Sequence, residues 1–455
     1  MNQFETIEES LKDSAVSIAE LYSQHLAEKF SRFQSILKET GFDEILIGSG
    51  DSKTQFADDL AYPFKANPYF REWVPLGKRA GCYLQISAEA SKPKLFLLTV
   101  EDIWHTAPES LSAGFEQGLD IVEYASVDEI KAALSKREGG TALVNETNTL
   151  ELAAEGFNPQ SVLNQIDFQR RGKTAYEQEC VREANRQAVP AHRAAYRAFM
   201  AGASELEIAA AYLAACSQSE NEMPYSIIAG VNEHAAVLHH YNLSRQPRTP
   251  RSFLIDAGVS FNGYASDITR TYAYDQGSEF AEMISVMDRV QQELVAAGGI
   301  GKNPVDLHVL SNLKVAEVLR QFEVLNVSAE EAFEAGITAA FYPHGLGHHL
   351  GSNVHDLGSN LANAKGDKLP APEKYPKLRS SAPMVANQVH TVEPGLYFIP
   401  ALLDKLRKGE HTAKLNWSRV DHFIPYGGIR IEDNIVVHAD GCLENLTRDA
   451  FAASE

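Results

Sequence analysis

The stretch Phe341-Tyr-Pro-His-Gly-Leu-Gly-His-His-Leu-Gly-Ser-Asn-Val-His-Asp356 constrains the fold of this chain more than any other. It sets His344, His348, His349 and His355 among glycines at 345, 347 and 351. Each glycine costs a helix about 1 kcal/mol against alanine, so a regular helix is disfavoured there. Glycine lets the backbone turn at positive φ and bring side chains to one point. Irregular, histidine-dense chain in a carboxylate-rich protein points to a metal site, and the missing ligands have to come from elsewhere in the sequence.

Two aspartates supply the first candidates. Asp256 and Asp267 flank Asn262-Gly263, the strongest two-residue hairpin signal, because a type I′ turn needs positive φ twice. A two-residue hairpin pairs Phe261 with Tyr264 and sets Asp267 opposite Gly258. Asp256, two residues on, shares that face. The carboxylates then become diagonal neighbours roughly 7–8 Å apart at the backbone. Two more acids lie in strand-like text: Glu393 in Val389-His-Thr-Val-Glu-Pro-Gly-Leu-Tyr-Phe398, and Glu432 in Gly427-Gly-Ile-Arg-Ile-Glu-Asp-Asn434. Acids among apolar strand residues need partners, and a cation satisfies several at once. Taken singly, the aspartates fit an exposed acidic hairpin equally well. Glu432 alone fits an ion pair with Arg430 better than a metal.

At 455 residues the chain exceeds one core of ~150 residues. Helical text comes first: Leu26, Phe30, Phe33 and Leu37 form a stripe, and Gly41 stands at the expected cap. Strand-like runs at 44–48, 82–86 and 94–100 follow, alternating with helical or polar stretches, which predicts a small α/β domain over 1–165. Residues 156–173 read as a linker rich in breakers. Capping boxes at Thr174–Glu177 and Ser204–Glu207 then open two helices. The text turns strand-rich from about 225, helical over 279–324, and strand-rich again, an α+β domain over 166–455.

A net charge of −20 argues against a nucleic-acid partner, whose phosphates need a basic footprint. The acidic N-terminus lacks a signal-peptide h-region, and no apolar run suits a membrane span. Cys82, Cys180, Cys216 and Cys442 are scattered, as expected of reduced, buried thiols in a cytoplasmic protein.

The motif order Asp-x10-Asp, His-Gly-Leu-Gly-His-x2-Gly-x3-His-Asp, Val-Glu-Pro-Gly-Leu-Tyr-Phe and Gly-Gly-Ile-Arg-Ile-Glu-Asp-Asn is similar to that of the pita-bread metallopeptidases. Within them the chain resembles the bacterial Xaa-Pro dipeptidases (prolidases), including the enzymes called organophosphorus acid anhydrolases. The likeness reaches the first domain through Asp58–Trp73 and Glu101–His105. It implies a C-terminal pita-bread domain behind a smaller α/β domain. It implies metal ligands Asp256, Asp267, His348, Glu393 and Glu432, with Glu393, His355 and His239 catalytic. It implies a substrate pocket including Arg379, Arg430, His344 and Tyr225. Asp59 is expected to complete the pocket of a neighbouring subunit in a homodimer.

The resemblance implies two divalent ions per subunit. Four carboxylates and one imidazole are hard donors that favour Mn²⁺ and allow Co²⁺, Fe²⁺ or Zn²⁺. Such a pair holds a bridging hydroxide for attack on an Xaa-Pro dipeptide. The same chemistry could act on phosphotriesters, and a binding module on the fold would lose ligands that this chain keeps. Ser352 and Ser359 replace residues usual in relatives, and the loop after His239 is one residue short; these departures bear on pocket shape.

Overall fold

The computed structural model describes residues 16–100, 109–135 and 139–454. The chain divides into two compact units, Met1–Cys180 with Asn363–Asp367, and Val181–Ala362 with Lys368–Glu455. The first unit opens on α1 (Ile18–Thr40), started by a Ser17–Glu20 capping box and ended by Gly41 at φ 77°. Leu26, Phe33 and Leu37 are buried along it. Phe30 is only half-buried, and Lys29 is buried instead, its ammonium on Glu72.

There follow β1 (Glu44–Gly48), α2 (Pro68–Arg71), β2 (Tyr83–Ser87), β3 (Lys94–Leu98), β4 (Asp120–Tyr124), α3 (Val127–Leu134), β5 (Thr141–Val144) and β6 (Gly156–Phe157). They make one mixed sheet in the order β4-β3-β2-β1-β5-β6. The α/β character expected for this region is present. The linker expected over 156–173 is not. Gly156 and Phe157 pair in parallel with Ala142 and Leu143, and α4 (Gln160–Gln169) buries Val162 and Ile166. The breakers Asn158 and Pro159 mark its start, Asn158 at φ 49°. Of the first-domain segments that carry the resemblance, 101–105 lies outside the described residues, as does the N-terminal stretch read for a signal peptide.

Helix α5 (Ala175–Met200) starts at the Thr174–Glu177 capping box, where each residue's side chain accepts from the other's backbone N–H (3.3 and 2.8 Å). Helix α6 (Glu205–Cys216) has the second box, Ser204 with Glu207. Then come β7 (Ile228–Val231), β8 (Ser252–Asp256), β9 (Ser260–Phe261), β10 (Tyr264–Ala265) and β11 (Thr269–Ala273). Helices α7 (Glu279–Ala296), α8 (Pro304–Gln321) and α9 (Ala329–Glu334) follow. The last part runs β12 (Gln388–Val392), β13 (Gly395–Tyr397), α10 (Pro400–Lys408), α11 (Trp417–Phe423), β14 (Gly428–Arg430), β15 (Asp433–Val437), β16 (Leu443–Asn445) and α12 (Leu446–Ala453). Three helices thus interrupt a stretch that reads as strand-rich. Cys82, Cys180 and Cys216 are buried as expected, whereas Cys442 is exposed in the turn after β15.

Two apolar layers support the sheets of this unit. Phe199 and Tyr212 from α5 and α6 pack on Phe253 and Ile255 of β8. Met283, Met287 and Leu319 from α7 and α8 pack with Phe341, Phe398 and Ile435. Strand side chains alternate, so Leu254 and Asp256 point away from the α5–α6 layer. The polar site lies on that opposite face.

Candidate metal centre

The hairpin has the register implied by Asn262-Gly263. Phe261 pairs with Tyr264, and Asp256 with Thr269 further down, without a bulge. Asn262 and Gly263 take φ of 48° and 86°, as a type I′ turn demands. Asp256 ends β8 and Asp267 stands between β10 and β11, on one face. A single hydroxyl, that of Tyr225, reaches Asp256 Oδ1 (2.8 Å) and Asp267 Oδ1 (2.5 Å).

His348 arrives from the glycine-rich segment, which lies along β12. Thr391 N–H donates to His348 C=O (2.9 Å) and Glu393 N–H to Leu346 C=O (2.8 Å). A Cβ on Gly347 would lie 2.0 Å from Thr391 O, so only glycine allows this approach. Glu393 sits between β12 and β13, and Glu432 immediately before β15. Glu432 N–H donates to Thr269 C=O (3.1 Å), and its carboxylate accepts from Thr269 Oγ1 (2.7 Å). The four carboxylates and one imidazole expected as ligands therefore meet at one place. All line a cavity of about 720 Å³.

The donor set suits cations. His348 Nδ1 donates to His349 C=O (3.0 Å), which leaves the Nε2 lone pair facing Asp267 Oδ2 at 3.5 Å and Glu393 Oε1 at 3.6 Å. Those distances are long for hydrogen bonds and set acceptors against acceptors. An imidazole whose second nitrogen donates to a carbonyl is the usual arrangement around a metal. One ligand atom from each of Asp267, His348 and Glu432 lies within 4.8 Å of the other two.

Electrostatics agrees. Burial, then repulsion from Asp256, holds the Asp267 carboxyl well above the usual range. Glu432 is raised by burial, Asp267 and Asp256, and Glu393 by burial and Glu432. Tyr225 has one hydrogen for two carboxylate oxygens. The second close approach calls for a proton on a carboxyl or a cation beside it.

The remaining site residues divide between wall and mouth. Arg430 is 4% exposed, and its guanidinium is committed to Asp256 Oδ2 (2.6 Å), Tyr397 Oη (2.9 Å) and Thr269 Oγ1 (3.1 Å). His344 Nε2 bonds Tyr397 Oη and Nδ1 bonds Gly345 C=O, both at 2.8 Å. Burial, then Arg430, takes His344 down to about 3. Arg379, His239 and His355 line the cavity with exposed side chains. The His355 ring lies edge-on to His348, centroids 4.6 Å apart; burial, then His348, lowers it to about 3. Asp59 belongs to the other unit, on an exposed loop where its N–H donates to Asp58 (2.7 Å).

Several residues that hold the site from behind escaped the motif reading. Thr269 and Tyr397 hold Arg430, and Asn434 accepts from Asp267 N–H (3.0 Å) while donating to its C=O. Thr269 lies two residues from Asp267, Asn434 two from Glu432 and Tyr397 four from Glu393. Stepping by two along each strand from an acid would have found them.

Comparisons with known proteins fit this architecture. A model of metallopeptidase family M24 matches residues 179–439, and one of the Xaa-Pro dipeptidase N-terminal domain matches residues 20–168. An Xaa-Pro dipeptidase of Pseudoalteromonas translucida is 44% identical over 437 residues, covering 95% of this chain and 98% of that protein. One from Yersinia pseudotuberculosis is 42% identical over 439 residues, covering 95% and 99%. Among solved structures, Escherichia coli aminopeptidase P with the inhibitor Pro-Leu shares the fold at a TM-score of 0.70 and 21% identity, covering 97% of this chain and 99% of its own. The expected two-domain architecture with a C-terminal pita-bread domain is therefore present. Divalent metal ions are the cofactor that the family implies. With matches along nearly its whole length, the chain belongs to metallopeptidase family M24, in the Xaa-Pro dipeptidase group.

Proposed function

We propose that the protein hydrolyses dipeptides with a C-terminal proline, using two divalent ions held by Asp256, Asp267, His348, Glu393 and Glu432. The observation that carries this reading is the convergence of four carboxylates and the His348 Nε2 lone pair on one cavity that Arg379 also lines. The hard donor set favours Mn²⁺. Bound there, the ions would supply an acidified water for attack and polarise the scissile carbonyl.

The chain's own residues do the rest. Arg430 and His344 have their polar atoms taken up by Asp256, Tyr397 and Gly345, so they shape the pocket. Arg379 is left to pair with the dipeptide's terminal carboxylate and thereby to exclude longer chains. His355, kept neutral, holds an N–H donor for the carbonyl oxygen as charge develops on it, and His239 is placed to do the same. Glu393 takes a proton from the attacking water and passes it to the proline nitrogen as it leaves. That nitrogen carries no hydrogen in the substrate amide, so the pocket needs no acceptor for it.

The loop that carries Asp59 shows Phe56 and Leu60 to solvent at 97% and 61% exposure. Covering such apolar surface with a second copy supports a homodimer. Cys82, Cys216 and Cys442 are unbridged, as suits the cytoplasm. Among the described residues no helix is long and apolar enough to cross a membrane.

The test is Ala-Pro hydrolysis after chelation and after Mn²⁺ is restored, beside Ala-Pro-amide and a phosphotriester. We expect Mn²⁺-dependent release of proline from Ala-Pro, with the amide poorly cut. Two bound ions without Ala-Pro hydrolysis, or faster turnover of the phosphotriester, would overturn the reading.

A further inference from the structure

Glu205 is the first residue of α6 and is 1% exposed. It does not line the metal cavity. Its two oxygens accept four hydrogen bonds. Oε1 takes Val231 N–H (2.9 Å) and His234 Nδ1 (2.7 Å); Oε2 takes His240 Nε2 (2.8 Å) and Ser244 N–H (2.7 Å). An ionised carboxylate only accepts, so both imidazoles present a proton to it. Burial pushes this carboxyl up, and the four bonds outweigh it and hold it at about 2.

One side chain thus ties down both ends of the segment 231–244. Leu206 N–H adds a bond to Ser244 C=O (3.1 Å), satisfying a donor that the first turn of a helix leaves open. Between these anchors the side chains alternate. His240 is buried on Glu205, while His239 and Tyr241 turn the other way and line the metal cavity. Their rings stack at 5.9 Å and 16°, and Tyr241 N–H donates to His239 C=O (3.1 Å).

We propose that Glu205 is a positioning residue for the reaction: by holding His240 it fixes where His239 stands in the cavity. This rests on the reading of His239 as a donor to the reacting carbonyl. A loop between two such anchors would otherwise sample many conformations, and misplacing a reacting group by about 1 Å can cost on the order of 10²-fold in rate. A cation held by Glu205, His234 and His240 is the competing account of the cluster. Ligand atoms around an ion with ~2.0–2.1 Å bonds stand about 3.3 Å apart, whereas these nitrogens lie 2.7 and 2.8 Å from the carboxylate. They are hydrogen-bonded directly.

Glu205→Gln keeps the volume and replaces one acceptor by a donor that faces N–H groups. In the Mn²⁺-loaded enzyme we expect kcat for Ala-Pro to fall about tenfold or more. KM should stay within about twofold, and two ions per chain should remain. Added to His239→Ala, it should change kcat no further. Wild-type kcat in Glu205→Gln, losses that multiply in the double variant, or a third ion that Glu205→Gln loses would each overturn the proposal. His239→Ala at wild-type turnover would instead refute the His239 reading. The clamp is then decided by a crystal structure of Glu205→Gln, which overturns it if residues 238–241 have not moved. Should Glu205→Gln not fold, His240→Gln, which weakens one arm alone, should show the same pattern at smaller size, and wild-type values there would overturn the clamp.

Discussion

Glu393→Gln should raise the stability of the metal-free protein and lower that of the metal-loaded one. The Glu393 carboxyl is raised well above its ordinary 4.5 by burial first and Glu432 second, against lowering by His348 and Arg430. Without metal, the folded chain therefore keeps a proton there that the unfolded chain has lost. More protons bound in the folded state means that stability falls as pH rises, from the ordinary value up to the raised one. The slope is about 1.4 kcal/mol per pH unit for one whole proton.

Glutamine keeps the shape and removes the titration, so the gap between variant and wild type should open with pH by up to that amount per unit. Histidines lowered to about 3, such as His344 and His355, contribute the opposite slope as the unfolded chain titrates. They do so in both proteins and drop out of the difference. Saturating Mn²⁺ should reverse the order. A site filled to 100 times its Kd adds about 2.7 kcal/mol to the wild type, and the variant, short of one ligand, gains less. Urea unfolding of chelator-treated protein between pH 5.5 and 8.5, followed by circular dichroism and repeated with Mn²⁺, measures both effects. A variant less stable than wild type without metal at pH 8, or a gap that does not change with pH, would refute the reasoning.

Three further outcomes are expected. Asp267→Asn should lose bound ions and orders of magnitude in turnover with the fold intact, checked by metal content, kcat and circular dichroism. Arg379→Ala should raise KM for Ala-Pro by about ten- to a hundredfold, the worth of one charge-assisted hydrogen bond, and leave KM for Ala-Pro-amide unchanged. His355→Ala should keep two ions and its melting temperature while kcat falls by ~10²–10³; loss of metal in step with activity counts against a donor role.

Features that local chemistry decides were legible in the sequence. The α1 stripe with its Gly41 cap, both capping boxes and the Asn262-Gly263 register each depend on a few neighbouring residues. The segment 156–173 was not. Its Gly, Asn and Pro are breakers in any local reading, yet β6 is two residues long and exists because β5 offers it an edge. Glu205 was hidden for a similar reason. Its partners, at 231, 234, 240 and 244, meet only when α6 packs beside the end of β7.

The acids of the site pose the sharper case, because residue type alone does not say which carboxylate needs a cation. Glu432 and Asp433 are adjacent, and both are buried. Asp433 faces Arg270 and Arg448 at 2.7 Å each and accepts from Asn445 (2.9 Å). Against its burial, those partners hold it below the usual range. Glu432 points to the opposite face of the strand, beside Asp267 and Asp256, and is held well above it. A one-residue step along β-structure thus reverses the sign of the shift. Asp433 and Glu205 are already neutralised or saturated by donors, so they have no call for an ion. Asp267, Glu393 and Glu432 repel one another with Arg430 as the chief fixed counter-charge. Buried carboxylates in that state mark a functional site, and here they coincide with the His348 lone pair. The motif order makes these residues visible in the sequence. Strand alternation, which turns neighbouring acids to opposite faces, is what separates Glu432, which calls for a cation, from Asp433, which does not.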